Sequence, residues 1–475
     1  MKTETSAQRE KRLRRENRQR ERLLKEQNKK EGKYYIFYLV FVLTIIYVVD
    51  EIASNMNSTM QPYMVFDLFN IPGANTKSQE FTSTLSFLGM LSLGTNAVLM
   101  LLTPFYKALA DKFGRKVFLF LNTTLMGVGL AVCMIAPHWA IYILGIMIVQ
   151  FVQTNDMQIM YIMETAPAKH RAKICNLTKA IALVSVSLVG VLHKALYNPE
   201  NLSSWRYVFA VPAALGIIIG LSCLFTVRET PVFIKGRLEY LNMTDEERAA
   251  KAEAEKKSGE SAEGGVPAAL KYIFRTPQMR WLAIAGLIFT IATGITGYYS
   301  SILEASKDAG VLTETDVSDF LIIYPFINGV FTFLCGVLSD AIGRKKGTII
   351  FSIVACVGVL MFVFGARFGW PFWIIALGYG MFIGTLWSVT DTICLVMPAE
   401  STPTKMRASV MGTMSLLLAV GMVISTVLFI VGLNFISSSQ IGMFGFAISV
   451  PAMLISCIFM LKVRETKGTD LTSIE

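Results

Sequence analysis

From residue 34 onward the chain alternates apolar runs of about 20 residues with short polar connections. One helix of that length crosses the hydrocarbon core of a bilayer, so each run is a candidate span. The pattern predicts spans at about 34 to 57, 83 to 106, 117 to 136, 139 to 163, 174 to 195 and 205 to 226. A second group follows at about 280 to 300, 319 to 338, 347 to 366, 371 to 396, 407 to 430 and 437 to 461. Two polar blocks, 1–33 and 228–275, break the rhythm. The expected organisation is a basic tail (1–33), a six-helix half (34–227), a linker (228–275), a second six-helix half (276–462) and a C-terminal tail (463–475). The fold class is an all-α membrane protein of twelve transmembrane helices.

Composition agrees with this pattern. Of the 475 residues, 53% are apolar and only 16% charged, against roughly 25% charged in soluble domains. A compact soluble enzyme, a secreted disulfide scaffold and a disordered chain are all excluded. The net charge of +10 reads first as topology: of the 44 Lys and Arg, only Lys77, Lys194, Arg206, Lys307 and Arg367 fall outside the tails and the even-to-odd connections. By the positive-inside rule both termini are expected in the cytoplasm. The first apolar run leads into polar residues without a small-residue cleavage site, so no cleavable signal peptide is expected.

The seven cysteines are scattered, with no close pair and no nearby His, which supports neither a disulfide framework nor a zinc site. No metal or cofactor is expected. His138, His170 and His193 lie near span ends and none stands beside a Ser or Cys nucleophile, so no catalytic constellation is visible. In the tail, Glu10 with Arg14, Glu21 with Lys25 and Glu26 with Lys30 have helical pair spacing. This segment reads as a solvated charged stretch or as one drawn to anionic lipid headgroups. It has no aromatic residue for base stacking, which argues against nucleic acid as a partner.

Three elements recur in order. KALADKFGRK ends at Lys116 and GVLSDAIGRK at Lys345. ETAPAKHRA starts at Glu164 and ESTPTKMRA at Glu400, while VRET starts at Val227 and again at Val463. The last two pairs share one offset of 236 residues, the mark of two homologous-looking halves. On these motifs the chain resembles the major facilitator superfamily, and RETP at 228–231 with RETKG at 464–468 is most similar to its sugar porter branch. The resemblance implies two pseudo-symmetric six-helix bundles around a pseudo-twofold axis along the membrane normal, with a small-molecule substrate held between them near the midplane.

The loop motifs form a candidate cytoplasmic gate: Asp111, Arg115, Glu164, Arg171 and Glu229 in the first half, Asp340, Arg344, Glu400, Arg407 and Glu465 in the second. Gly114 and Gly343 permit the tight turn between helices. The resemblance implies that each Asp meets a helix N-terminus across the interface between halves, an anion-to-dipole contact. The network would then hold the halves together when the carrier faces outward and break when it faces inward. The plainer alternative is that these charges only set topology. The small Gly that the family places four residues before the Asp is present as Gly336 and replaced by Lys107.

Ionisable residues inside spans are costly and mark function. Asp50 and Glu51 in the first span, Asp156 in the fourth and Asp391 in the tenth stand out. Asp156 and Asp391 precede Glu164 and Glu400 by eight and nine residues, nearly equivalent places in the repeat. Asp50, Asp156 and Asp391 are the candidates for proton coupling, because a carboxylate in a low-dielectric cavity titrates closer to neutrality. Asp50 followed by Pro62 also resembles proton-coupled metabolite carriers of the superfamily. Gln150, Gln153, Asn155 and Trp387 are candidate substrate contacts, together with Tyr298 and Tyr299, which resemble a Tyr pair of sugar porters. The stretch FTIATGITGYY lacks the family's Gln pair and its Asn, a departure from hexose recognition. No Lys or Arg lies near the centre of a predicted span, which favours a neutral or cationic solute.

The expectation is a monomeric, proton-coupled secondary transporter of a small organic solute in the plasma membrane, working by alternating access. An exporter of amphipaths and a transporter-like receptor are the alternatives. If the gate operates, Asp340→Asn lowers transport several-fold while the protein still reaches the membrane; a wild-type rate in a cell uptake assay would refute that role.

Overall fold

The structure is a computed structural model. It describes residues 6–28, 34–71, 73, 75–153, 157–165, 171–244, 246–248, 250, 266–403 and 406–467. Among them there is no β-strand, only an isolated bridge between Asn198 and Asn201.

Among the described residues ten helices are long and apolar enough to cross a membrane, and Trp139–Gln153 is a shorter apolar one. Helix Gln79–Phe113, of 35 residues, takes the second place in the first half. In order, the first half consists of Tyr35–Leu68, Gln79–Phe113, Arg115–Ile135, Trp139–Gln153 continued by Met157–Thr165, Arg171–Ser185 continued by Ser187–Leu196, and Leu202–Thr226. The second consists of the broken helix Pro277–Thr290, Ile291–Gly297 and Tyr299–Asp308, then Glu314–Ile342, Arg344–Phe368, Phe372–Asp391 running on to Ser401, Arg407–Gly432 and Ile441–Met460. Helices form here because a lipid-exposed backbone must satisfy its own hydrogen bonds. Their outward faces carry large apolar side chains such as Phe225, 82% exposed, and Phe333, 64% exposed, as lipid contact requires.

Small residues set the closest helix approaches. A Cβ on Gly127 of the third span would stand 2.6 Å from the Ile217 nitrogen and 2.7 Å from the Ala213 oxygen of the sixth, so only glycine lets these backbones touch.

The tail is more structured than a solvated segment. It forms helix Ser6–Gln27, and Leu23 is buried with Phe233 and Ile234 of the linker helix Pro231–Asn242. Glu16 pairs with Arg248 at 3.2 Å. Leu23 finds apolar partners only when the linker folds beside it, which local composition does not reveal.

The two halves are bonded mainly on the outer face, the one opposite the tail. Thr59 and Tyr299 hydroxyls lie 2.5 Å apart, and Ser300 Oγ donates to the Thr59 carbonyl at 2.7 Å, joining the first and seventh spans. Ser86 of the second span donates to the Ile430 carbonyl of the eleventh at 2.9 Å. Lys194 of the fifth meets Asp319 of the eighth at 2.6 Å. Among the described residues these contacts close the outer face.

Gly127→Val should separate the third and sixth spans at a cost of about 1–3 kcal/mol, the usual penalty of overpacking. Thermal unfolding of the purified protein in detergent measures it; an unchanged transition would contradict the close approach.

Candidate functional site

Between the halves lies a cavity of about 280 Å³. The first span supplies Asn57, Ser58 and Gln61, the second Ser92 and Thr95, and the fourth Gln150. From the second half come Thr293, Thr296 and Tyr298 of the seventh span, Trp387 of the tenth and Thr426 of the eleventh. Among the described residues no lining side chain carries a charge. Asn57 accepts a hydrogen bond from Tyr142 at 3.1 Å. The carbonyl oxygens of Gln61 and Gln150 are buried and have no protein partner. Such orphaned acceptors are rare in folded proteins and are satisfied by whatever fills the space.

The seventh span is broken where it meets this cavity. Its α-helix ends at Thr290, passes through a 3₁₀ segment, Ile291–Gly297, and restarts at Tyr299. Ser425 of the eleventh span accepts the Gly294 N–H at 3.0 Å and donates to the Ile291 carbonyl at 2.5 Å. Ser449 of the twelfth donates to the Ala292 carbonyl at 3.1 Å. Neighbouring hydroxyls thus satisfy backbone that the break removes from the helical ladder. The tenth span has a π-turn, Thr392–Val396, directly after Asp391. Such bulges cluster at functional positions.

Asp50 is buried in the middle of the first span, and Gln158 of the fourth donates to it at 2.9 Å. Asp391 is half-exposed, with Lys179 of the fifth span 3.6 Å away across the halves. Lys179, near the start of the fifth span, thus supplies a cation to the tenth.

On the tail side the recurring motifs build two matching networks. In the first half, Arg115 pairs with Glu164 at 3.3 Å, and Thr230 donates to Glu164 at 2.6 Å. In the second, Arg344 pairs with Glu400 at 3.2 Å, and Thr466 donates to Glu400 at 2.6 Å. Glu229 accepts the N–H groups of Arg115 at 3.0 Å and Lys116 at 3.2 Å, at the start of the third span. Glu465 accepts those of Arg344 at 2.7 Å and Lys345 at 3.2 Å, at the start of the ninth. Each glutamate is an anion on a helix N-terminus. Gly114 and Gly343 make this possible: their φ values are +113° and +107°, and a Cβ there would stand 2.3 Å and 2.5 Å from the glutamate oxygens.

Comparison with known proteins agrees with this architecture. A family model described as the Major Facilitator Superfamily matches residues 43–424, and again 305–474. The chain belongs to the Major Facilitator Superfamily. It is similar to the glucose transporter GlcP of Staphylococcus epidermidis, 22% identical over 94% of this chain and 97% of that protein. Probable polyol transporter 4 of Arabidopsis thaliana is 26% identical over 77% of this chain and 73% of the relative. Among solved structures, a D-xylose-proton symporter superposes with a TM-score of 0.66 at 18% identity, covering 91% of this chain and 99% of that one. This major facilitator protein is thus a multi-pass secondary transporter of small solutes and not an enzyme.

Of the candidate substrate contacts in this transporter, Gln150, Tyr298 and Trp387 line the cavity. Gln153 does not, and Tyr299 is buried in the outer closure, 4.7 Å from the Tyr379 ring centre. Asn155 and Asp156 lie outside the described residues, as do the side chains of Asp111 and Arg171. The described gate contacts stay within one half: the carboxylates at the helix N-termini are Glu229 and Glu465, while Asp340 pairs with Arg344, the first residue of the next helix. Arg407 donates to the Thr402 carbonyl at 3.4 Å. The hydroxyls of Ser92, Thr95, Thr293, Thr296 and Thr426 were not singled out from sequence, because a lone Ser or Thr in an apolar span more often bonds its own helix.

The two N-terminal glutamates differ electrostatically. Burial pushes the Glu229 carboxyl up, against the N–H bonds from Thr230, Lys116 and Arg115. Burial also acts upward on Glu465, but N–H donors from Lys467, Arg344, Lys345 and Thr466 outweigh it and hold that carboxyl below its usual value. The Glu465 contribution is therefore present above the ordinary carboxylate range and lost as pH falls through the depressed value. That of Glu229 has the opposite sign: full at low pH, it fades as pH rises through the elevated value. Glu465→Gln should destabilise the protein at pH 7 by about 1 kcal/mol or less, given its exposure. Glu229→Gln should be neutral or mildly stabilising. Equal losses of melting temperature in both variants would contradict the difference.

Proposed function

We propose that the protein is a proton-coupled importer of a neutral polyhydroxylated solute, a monosaccharide or polyol, acting as a monomer in the plasma membrane with both termini in the cytoplasm. The observation that carries this reading is the uncharged cavity with two unpartnered amide carbonyls, Gln61 and Gln150. Hydroxyl groups of a polyol would donate to them, and its remaining oxygens would find the Ser and Thr hydroxyls. Tyr298 and Trp387 offer faces for the C–H surface of a ring. A volume of about 280 Å³ suits one small solute. The names of the glucose and polyol transporters among its relatives support the same class. The neutral lining speaks against export of cationic amphipaths.

Asp50 is the proposed coupling carboxylate. Asn57 and Gln61 follow it by 7 and 11 residues, on the same helix face, and its partner Gln158 follows Gln150 by eight on the fourth span. A proton on Asp50 would weaken its bond to Gln158 and change how those two spans present Gln61 and Gln150. The Lys and Arg asymmetry supports cytoplasmic termini.

Purified protein in proteoliposomes, given an inward proton gradient and a panel of labelled hexoses, pentoses and polyols, should accumulate at least one of them. Asp50→Asn should abolish accumulation, at least about tenfold, while counterflow exchange persists. Gradient-driven accumulation by Asp50→Asn equal to wild type refutes the coupling role. Failure of the whole panel to cross refutes the solute class and favours a receptor that binds without transport.

A further inference from the structure

The outer closure contains a cluster of ionisable groups that solute binding does not use. Glu304, on the outer segment of the seventh span, is completely buried. Tyr63 of the first span donates to it at 2.6 Å, across the two halves. Lys307, one turn on, meets Glu304 at 2.5 Å and also Glu314, at the start of the eighth span, at 2.7 Å. His193 of the fifth span is 1% exposed; one ring nitrogen lies 3.0 Å from the Ser318 hydroxyl. Its other nitrogen, Nε2, faces Glu314 Oε1 at 3.8 Å, and both atoms are buried without a hydrogen-bond partner.

The remaining groups around Glu304 do not balance it. Tyr197 stacks on His193 at 4.9 Å and packs on Tyr63 at 4.5 Å. Asp308, on the same helix, is bound by the Thr76 N–H and hydroxyl at 2.7 and 2.6 Å. Lys194 is taken by Asp319 at 2.6 Å. On the opposite side of the helix, Arg367 donates to the Ser439 carbonyl at 3.3 Å. One ammonium, Lys307, thus serves two carboxylates in the closed state. A buried charge in excess is expensive, whereas in an open outer face both carboxylates would be hydrated.

We propose that Glu304 and Glu314, clamped on Lys307 beside His193, form a proton-binding site of the outer closure. One proton from the outer solution adds to a carboxylate as the face closes and leaves to the same side as it opens. The coupled groups share it, so it belongs to the pair and to His193 Nε2 and not to one residue. No proton crosses the membrane by this route; the site biases the conformational cycle toward closure in acid. The closed state binds the proton more tightly, so closure is strongest at low pH and weakens as pH rises. The inference goes beyond the transport reading and does not depend on the solute or on Asp50.

The test reads conformation without any solute. Spin labels at Glu80→Cys and Ser439→Cys, at the outer ends of the two halves, in a cysteine-free full-length background in nanodiscs, report the outer distance by pulsed resonance. The closed-to-open ratio should rise as pH falls from 8 to 5, by up to about tenfold per pH unit for one proton. Glu304→Gln mimics the protonated form and should stay closed with no pH slope. Glu314→Gln, at a less buried position, should likewise flatten it. A wild-type slope in both Gln variants, or a slope lost only in Asp50→Asn, overturns the proposal.

Discussion

The absence of water in the bilayer core constrains this molecule more than any other condition, and the seventh span is where that constraint is met least simply. A helix satisfies its own backbone, so an unbroken crossing needs little help. The seventh cannot, because its 3₁₀ segment, Ile291–Gly297, withdraws carbonyls and N–H groups from the ladder beside the cavity. Ser425 and Ser449 supply the missing partners from the eleventh and twelfth spans. The break is therefore stable only within the packed second half. It brings Thr293, Thr296 and Tyr298 to the cavity, and leaves Tyr299, Ser300 and Glu304 on a separate outer segment that bonds the first half.

The same economy of local satisfaction governs the face that carries the tail. Each half closes its own loop with a glutamate on a helix N-terminus and an Arg–Glu pair, at nearly equal distances in the two copies. These contacts tie the second-to-third, fourth and sixth spans of a half into one body, and likewise their counterparts in the other. Rocking of halves needs such stiffness, since a soft bundle would absorb the motion inside itself. The copies are not energetically identical: Glu229 is buried and Glu465 exposed, so the same fold of chain stores different responses to acid.

Much of the architecture was legible in the order of residues. Apolar run length predicts the spans, and the recurrence of Arg115, Glu164 and Glu229 as Arg344, Glu400 and Glu465 marks two related halves; it does not reveal that the described contacts of these residues stay within each half instead of joining the two. What the pattern does not carry is the partner of a residue. Tyr298 and Tyr299 are adjacent and chemically alike, yet the helix restart sends one to the cavity and the other into the closure. Lys179 reads as a residue near a span end, and only the packing of the fifth span on the tenth brings it to Asp391. Glu304 lies just past an apolar run, where charge is usually hydrated; its burial beside Lys307, one turn on, follows from Tyr63 of the first span and Glu314 of the eighth, which sequence does not bring to it.

Among the described residues charge is kept out of the lining of the central cavity, and that separation would have a physical use in a carrier. A fixed ion in the cavity would attract counterions and bind them strongly in a low-dielectric space, slowing the release a carrier needs. Amides and hydroxyls exchange bonds with water or a polyol at little net cost, since each bond made replaces one lost. The ionisable groups sit instead at Asp50, at Asp391 with Lys179, in the outer cluster and in the paired networks. At those places helices meet, so a change of charge there would act on contacts between helices, and the described lining of the cavity would keep its neutral hydrogen-bonding groups.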